Sequence, residues 1–298
     1  YGASLGGVLT LIGTPPNGIF ARFVEQTYNV PVSFIDWMLI AFPIVVVMIA
    51  ATQLLMTKVL FRELVSELPG GKDWVMHEYS KLGPMSRGEK IVLTVFVTAA
   101  LLWCFGPVIR GIQIGDMTPF KPLSDTVIAM GAGIILFIIP VDYKRGVHAL
   151  DWSSASDTVA WDVLLLFGGG LSMAAAIQKT GLADIIGAQA TFLSSLPEVA
   201  AISGLTTLTV FASEFTSNTA LAATMMPLVA AVADSIGMHP EALLVATTFG
   251  ASLAFMMPVG TPPNAIIFGT GRIRIAEMIR AGFWLNVCGI VVVTIICS

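Results

Sequence analysis

One pentapeptide occurs twice in this chain. Gly-Thr-Pro-Pro-Asn occupies residues 13–17 and again 260–264, both times inside apolar runs. Proline has no N–H and stops a helix, yet it suits a helix's first turn. Gly13 and Gly260 can therefore end one half-helix. Thr14 or Pro15, and Thr261 or Pro262, can open the next, with Asn17 and Asn264 in its first turn. A third polar break, Thr216-Ser217-Asn218-Thr219, consists of residue types that cap helices. A helix broken in hydrocarbon survives only where protein buries the break or water reaches it. Each restart aims free N–H groups and a positive dipole end at one spot, which favours a carboxylate. The carbonyls freed on the other side suit a hard cation such as Na⁺. Bound side by side, the two ions partly cancel, so each lowers the cost of dehydrating the other. A plain proline kink is the competing structural reading. Duplication of the pentapeptide, together with the third break, favours binding.

Gly-Ala-Ser-Leu also occurs twice, at 2–5 and 250–253, and begins 11 residues before the first pentapeptide and 10 before the second. Related halves with breaks at matching positions are the pattern of a secondary-transporter site. Asn218 lies 46 residues before Asn264, whereas only 16 residues precede Asn17. A first-half counterpart of 216–219 would fall before Tyr1, and no start methionine is present. This reading expects the start of the first half, with its paired binding loop, to be missing.

The elements that must position these breaks are apolar and long. Of 298 residues, 56% are hydrophobic and 11% charged, and the mean hydropathy is +0.86. Soluble domains are about a quarter charged. Net charge is −4, from 15 Lys+Arg and 19 Asp+Glu, which gives no support to nucleic-acid binding. Hydropathy places strong spans at about 34–61, 91–109, 124–141 and 276–297, with a mixed polar stretch at 62–90. The fold class expected is all-α: a polytopic membrane protein with broken transmembrane helices, re-entrant hairpins and inverted repeats. Four regions follow. Residues 1–30 end a first-repeat transport region and 31–150 form scaffold-type spans. Residues 151–275 carry the second-repeat transport region, and 276–298 the final helix. Lys and Arg are richer in the connections 62–90 and 142–160 (seven) than in 110–123 (Arg110 and Lys121). The richer side is expected to be cytoplasmic.

The doubled pentapeptide, the run SLAFMMPVGTPPNAII at 252–267 and the run FASEFTSNTALAATMMP at 211–227 resemble the divalent anion/sodium symporter family, whose members carry dicarboxylates, citrate and sulfate. The resemblance covers the whole chain in segment order. It implies a homodimer in a lipid bilayer, multi-pass in the cell membrane. It also implies an elevator-type movement of the site, a small dicarboxylate or related anion as substrate, and no cofactor beyond Na⁺ as coupling ion. By position, Ser217, Asn218, Thr219, Thr261 and Pro262 would hold substrate with Thr14 and Pro15. Asn218 with oxygens of Ser213, Thr216 and Gly260 would hold one sodium. Gly13 would contribute to another, and 62–90 would contain an interfacial helix.

Other residues weigh less. Glu214 is an acid in an apolar run, four residues before Asn218. Such acids are functional candidates, and a structural hydrogen bond fixing the loop is an equal alternative. His77, His148 and His239 share no ligand spacing. Cys104, Cys288 and Cys297 read as small buried hydrophobes. Met225, Met226, Met256 and Met257 read as packing residues. Gly168, Gly169 and Gly170 suit either a close helix approach or a hairpin tip. No nucleophile–base set or paired acids in a span suggest an enzyme. Half-helices in related halves suit alternating access better than an open pore. Within transport, sodium-independent dicarboxylate exchange and sulfate/sodium symport remain alternatives.

Overall fold

The computed structural model describes residues 1–61, 71–115, 117–159, 161–182, 185 and 196–298. In chain order the helices are α1 (Gly2–Leu9), α2 (Pro15–Tyr28), α3 (Phe34–Leu54), α4 (Gly71–Leu82), α5 (Arg87–Cys104), α6 (Gly106–Arg110), α7 (Asp125–Ile138) and α8 (Trp152–Thr158), followed by α9 (Trp161–Lys179), α10 (Glu198–Ser213), α11 (Asn218–Ile236), α12 (Pro240–Ser252), α13 (Pro262–Gly269) and α14 (Ile275–Cys297). α3 runs on as a π-helix over Leu55–Leu60. Strand is confined, among the described residues, to β1 (Pro140–Asp142) paired antiparallel with β2 (Val147–His148). The chain is all-α, as its composition implies.

Local sequence sets the boundaries. α2 opens with Pro15 and Pro16 in its first turn, where a missing N–H costs nothing. It closes on Asn29 in the left-handed region, at φ 56°. Gly237, at φ 71°, ends α11 in the same way. Ser86 and Glu89 form a reciprocal capping box on α5.

Three helices are long and apolar enough to cross a membrane among the described residues. They are Phe34–Leu60 (27 residues, mean hydropathy 2.4), Asn218–Ile236 (19 residues, 1.5) and Ile275–Cys297 (23 residues, 2.0). The expected span at 91–109 is split instead. α5 stops at Cys104, and α6 restarts with Pro107 in its first turn. The expected span at 124–141 is α7, only 14 residues and about 21 Å long. It ends at the short strand that Pro140 begins. In the stretch 62–90, α4 takes the place of the expected interfacial segment, while 62–70 lies outside the described residues. So do 183–184 and 186–195.

Contacts divide the chain into two compact units. The first comprises Tyr1–Val32, Asp36–Arg62 and Trp161–Ser298, and the second Ser33–Ile35 and Glu63–Ala160. In the first unit α11 packs on α2, α9 and α12, and α12 packs on α10 and α14. At its centre Trp37 is fully buried. Its ring lies between Phe20, 5.2 Å away, and Phe249, 5.3 Å away and stacked. Of the three consecutive glycines, Gly170 is the one a helix contact requires: a Cβ there would lie 2.8 Å from Ala223 Cβ. Met226 is fully buried in this core.

In the second unit Asp125 gathers three donors. Its carboxylate accepts the Phe34 N–H (3.0 Å) and Arg110 Nη1 (3.0 Å), and its carbonyl accepts the Trp103 indole N–H (3.0 Å). Phe34 stacks on Trp103 at 5.3 Å.

Candidate functional site

At the first break α1 ends at Leu9 and Thr10 turns extended. The carbonyls so released would be orphans in an apolar interior. Asn17, fully buried, answers them: its Nδ2 donates to Thr10 O (2.8 Å) and Val8 O (3.2 Å), with Gly7 O at 3.5 Å. The Trp37 indole N–H also donates to Val8 O, at 3.0 Å, which ties the break to the core. Gly13 N–H returns to Thr10 O at 3.1 Å. Gly7 and Gly13 lie backbone to backbone. A Cβ on Gly7 would come within 2.9 Å of Gly13 O, so only glycine permits the crossing.

The second break repeats this arrangement. α12 ends at Ser252, and Asn264 Nδ2 donates to Ala254 O (3.0 Å) and Met257 O (3.1 Å). Gly260 N–H returns to Met257 O at 3.2 Å. Asn17 reaches Thr10 and Asn264 reaches Met257 across the same seven residues, so the two breaks match in detail. In both, the amide ties down the carbonyl side, and the restarted helix opens on two prolines that carry no N–H; in α2 the Asn17 N–H turns back to Thr14 O at 3.2 Å. α13 adds a cap, Thr261 Oγ1 accepting the Asn264 N–H at 3.4 Å.

The second break also has a buried acid. Glu214 closes α10 and is fully buried. Its Oε1 accepts the N–H groups of Phe255 and Met256 (both 2.8 Å) and Asn286 Nδ2 (2.6 Å), and its Oε2 accepts the Met257 N–H (2.8 Å). The loop-fixing hydrogen bond weighed from the sequence is therefore present, threefold, with a fourth bond from α14. Sequence reading missed Asn286. A lone amide in a 23-residue apolar helix was the available signal, with Gly282 and Gly289 on the same face. Cβ atoms there would strike the Phe255 backbone and approach Leu253 Cδ1 to 2.9 Å respectively.

At the third break α11 begins at Asn218, with Ser217 as N-cap and no side-chain bond at the cap. Asn218 is half-buried, and its Oδ1 is a buried atom without a partner. Thr219 is buried, while Ser217 and Thr216 are exposed. Ser213 Oγ donates to Val210 O (2.8 Å) and leans on Gly250 O (3.3 Å), joining the ends of α10 and α12. Thr216 Oγ1 donates back to Ala212 O at 2.9 Å.

Several expected site residues adjoin one another. Glu214 Oε2 lies against Gly260, where a Cβ would be 3.3 Å from it. The two halves touch directly where Ser4 Oγ meets Thr261 Oγ1 at 3.4 Å. α2, which Thr14 and Pro15 open, packs against α11. No side-chain hydrogen bond among the described residues links Thr14 to Ser217, Asn218 or Thr219, or Asn218 to Gly260. Pro262 and Pro15 are exposed at their helix starts. The groups present are carbonyls, hydroxyls and amide oxygens beside three helix N-termini, of which that of α11 has no side-chain cap, a set that fits a hard cation and a carboxylate.

Paired breaks in apolar helices, with their carbonyls tied by buried amides, define a membrane protein of the broken-helix class. The family described as the sodium:sulfate symporter transmembrane region matches residues 1–298, and the chain belongs to it. It is similar to the sodium-dependent dicarboxylate transporters SdcS of Staphylococcus saprophyticus and Staphylococcus aureus, each 37% identical over 297 residues. That alignment covers 99% of this chain and 56% of the relative. The chain thus spans about half the length of the curated relatives it matches.

Proposed function

We propose that this chain is the working part of a sodium-coupled symporter for small di- or tricarboxylates, C4-dicarboxylates foremost, in the plasma membrane, and that it is not an enzyme. The observation that carries the reading is the duplicated break. Asn17 and Asn264 each satisfy the carbonyls of the preceding half-helix. They leave two proline-started helices, α2 and α13, with positive dipole ends and cap threonines at the breaks, and the first turn of α11, which has no side-chain cap, supplies N–H groups for an anion. In this reading Thr14, Pro15, Ser217, Asn218, Thr219, Thr261 and Pro262 hold the carboxylates. Ser213, Thr216, Asn218 and Gly260 hold one sodium, and Gly13 contributes to another. The partly cancelling charges make uptake of one ion depend on the other. A homodimer moving the site by an elevator stroke completes the reading. The similarity to SdcS proteins supports dicarboxylate as the anion.

The deciding experiment uses the complete protein in liposomes. Uptake of labelled succinate is expected under an inward sodium gradient and to fall to background when potassium replaces sodium. Unchanged uptake in potassium would defeat the proposal in favour of exchange. The family's description names sulfate. A sulfate arm is therefore included, and sulfate that competes while succinate does not would move the anion assignment.

A further inference from the structure

Glu214 brings a charge to the second break that hydrogen bonding alone does not call for. A neutral side chain could also accept backbone N–H groups, without the cost of burying an ion. Every bonded partner of this carboxylate is an N–H donor: Phe255, Met256, Met257 and Asn286. No cationic side chain pairs with it among the described residues. Its two oxygens differ. Oε1 takes three of the donors, whereas Oε2 takes only the Met257 N–H and keeps lone-pair capacity. Oε2 is also the oxygen beside Gly260.

Three of the four residues assigned above to the cation adjoin this acid in sequence or in space, and the fourth, Asn218, follows it by four residues. Ser213 precedes it, Thr216 follows two residues on, Gly260 lies against Oε2, and the buried Oδ1 of Asn218 has no partner. All of these ligands are neutral oxygens. A cation held only by neutral oxygens in a medium of low dielectric is left unbalanced. A carboxylate fixed against Gly260 supplies the balance whether or not an anionic substrate is present. By contrast, residues 1–24, which carry the first break, contain no acid.

We propose that Glu214 is a positioning residue with an electrostatic task. It fixes the path of residues 255–257, and its charge sets sodium affinity at the second break independently of substrate. This rests on the sodium-coupled reading given above.

The test uses the complete protein and two readouts. One is the sodium half-saturation of thermal protection without substrate, against potassium as control. The other is KM for succinate in liposomes at saturating sodium. Glu214→Asp keeps the charge but withdraws it by one methylene, and should raise the sodium half-saturation several-fold. Glu214→Gln should raise it about tenfold or more, as expected for loss of a close, desolvated charge. In both variants KM for succinate at saturating sodium should stay within about twofold of wild type, because the interaction removed is with the ion. An unchanged sodium half-saturation overturns the proposal. So does a parallel loss of sodium and succinate affinity, the mark of a purely structural role. If Glu214→Gln does not fold, the Asp variant decides by the same split. Wild-type uptake that ignores sodium would instead defeat the proposed function, and it is measured first.

Discussion

Asn17 and Asn264 hold the same place in the two breaks but do not carry the same load. Thr10 O and Val8 O, which Asn17 serves, each have a second donor, Gly13 N–H and the Trp37 indole N–H. At the other break Met257 O keeps the Gly260 N–H, but among the described residues Ala254 O has only Asn264. Removing the amide at 264 therefore orphans a buried carbonyl, whereas removing it at 17 does not. Asn264→Ala should cost about 1–3 kcal/mol, the price of an unmade buried bond, and Asn17→Ala about 1 kcal/mol. Melting temperatures of the purified protein in detergent would show the ordering. Equal losses would mean that the amides act mainly by filling space. The spacing of the pentapeptide revealed both residues as first-turn positions. It could not reveal that their side chains point backwards to the previous half-helix, because that follows from how the two half-helices cross, at Gly7 and Gly13 in the first copy.

At the scale of elements, the breaks were legible because proline and cap-forming residues act locally: α2, α11 and α13 begin where 14–17, 216–219 and 260–264 imply. Long apolar runs were less informative. The run 91–109 looked continuous by hydropathy, yet Gly106-Pro107 divides it, since hydropathy counts apolar side chains and not missing N–H groups. The partner set of Asp125 was invisible for a different reason: Phe34, Trp103 and Arg110 lie 15 to 91 residues away. Only folding brings them together. Within the second unit that acid accepts the Phe34 N–H, and it forms a partly buried ion pair with Arg110. Asp125→Ala would leave the guanidinium without its carboxylate and the N–H without an acceptor. A loss of about 1–3 kcal/mol is expected, read as a lowered melting temperature. Asp125→Asn, which keeps one acceptor oxygen, should lose less. Equal stability of wild type and Asp125→Ala would mean that water replaces both bonds.

For the whole molecule, membrane sidedness follows from charge and from how often the second unit crosses. Together the connections 62–90 and 142–160 carry seven Lys and Arg, five of them in the first, whereas 110–123 carries Arg110 and Lys121. Arg110 is itself engaged by Asp125, as Lys81 is by Glu78 and Arg145 by Asp142, so pairing does not reverse the contrast. The positive-inside rule then puts α4 and the β1–β2 turn in the cytoplasm and the α6–α7 connection outside. This requires α7, about 21 Å of helix against a hydrocarbon core of about 30 Å, to cross with its flanking polar residues drawn inward or the bilayer thinned. Exposed positions make the arrangement testable: Ser80, Gln113 and Lys144 all face solvent or lipid. In a variant with Cys104, Cys288 and Cys297 replaced, single cysteines at 80, 113 and 144 would be labelled with a membrane-impermeant thiol reagent. Positions 80 and 144 should react only when the cytoplasmic face is open to the reagent, and 113 only from outside. Labelling of 113 from the cytoplasmic side would mean that neither α5 with α6 nor α7 spans the membrane. The second unit would then lie on one face, and the charge contrast between its connections would reflect solvation and not topology.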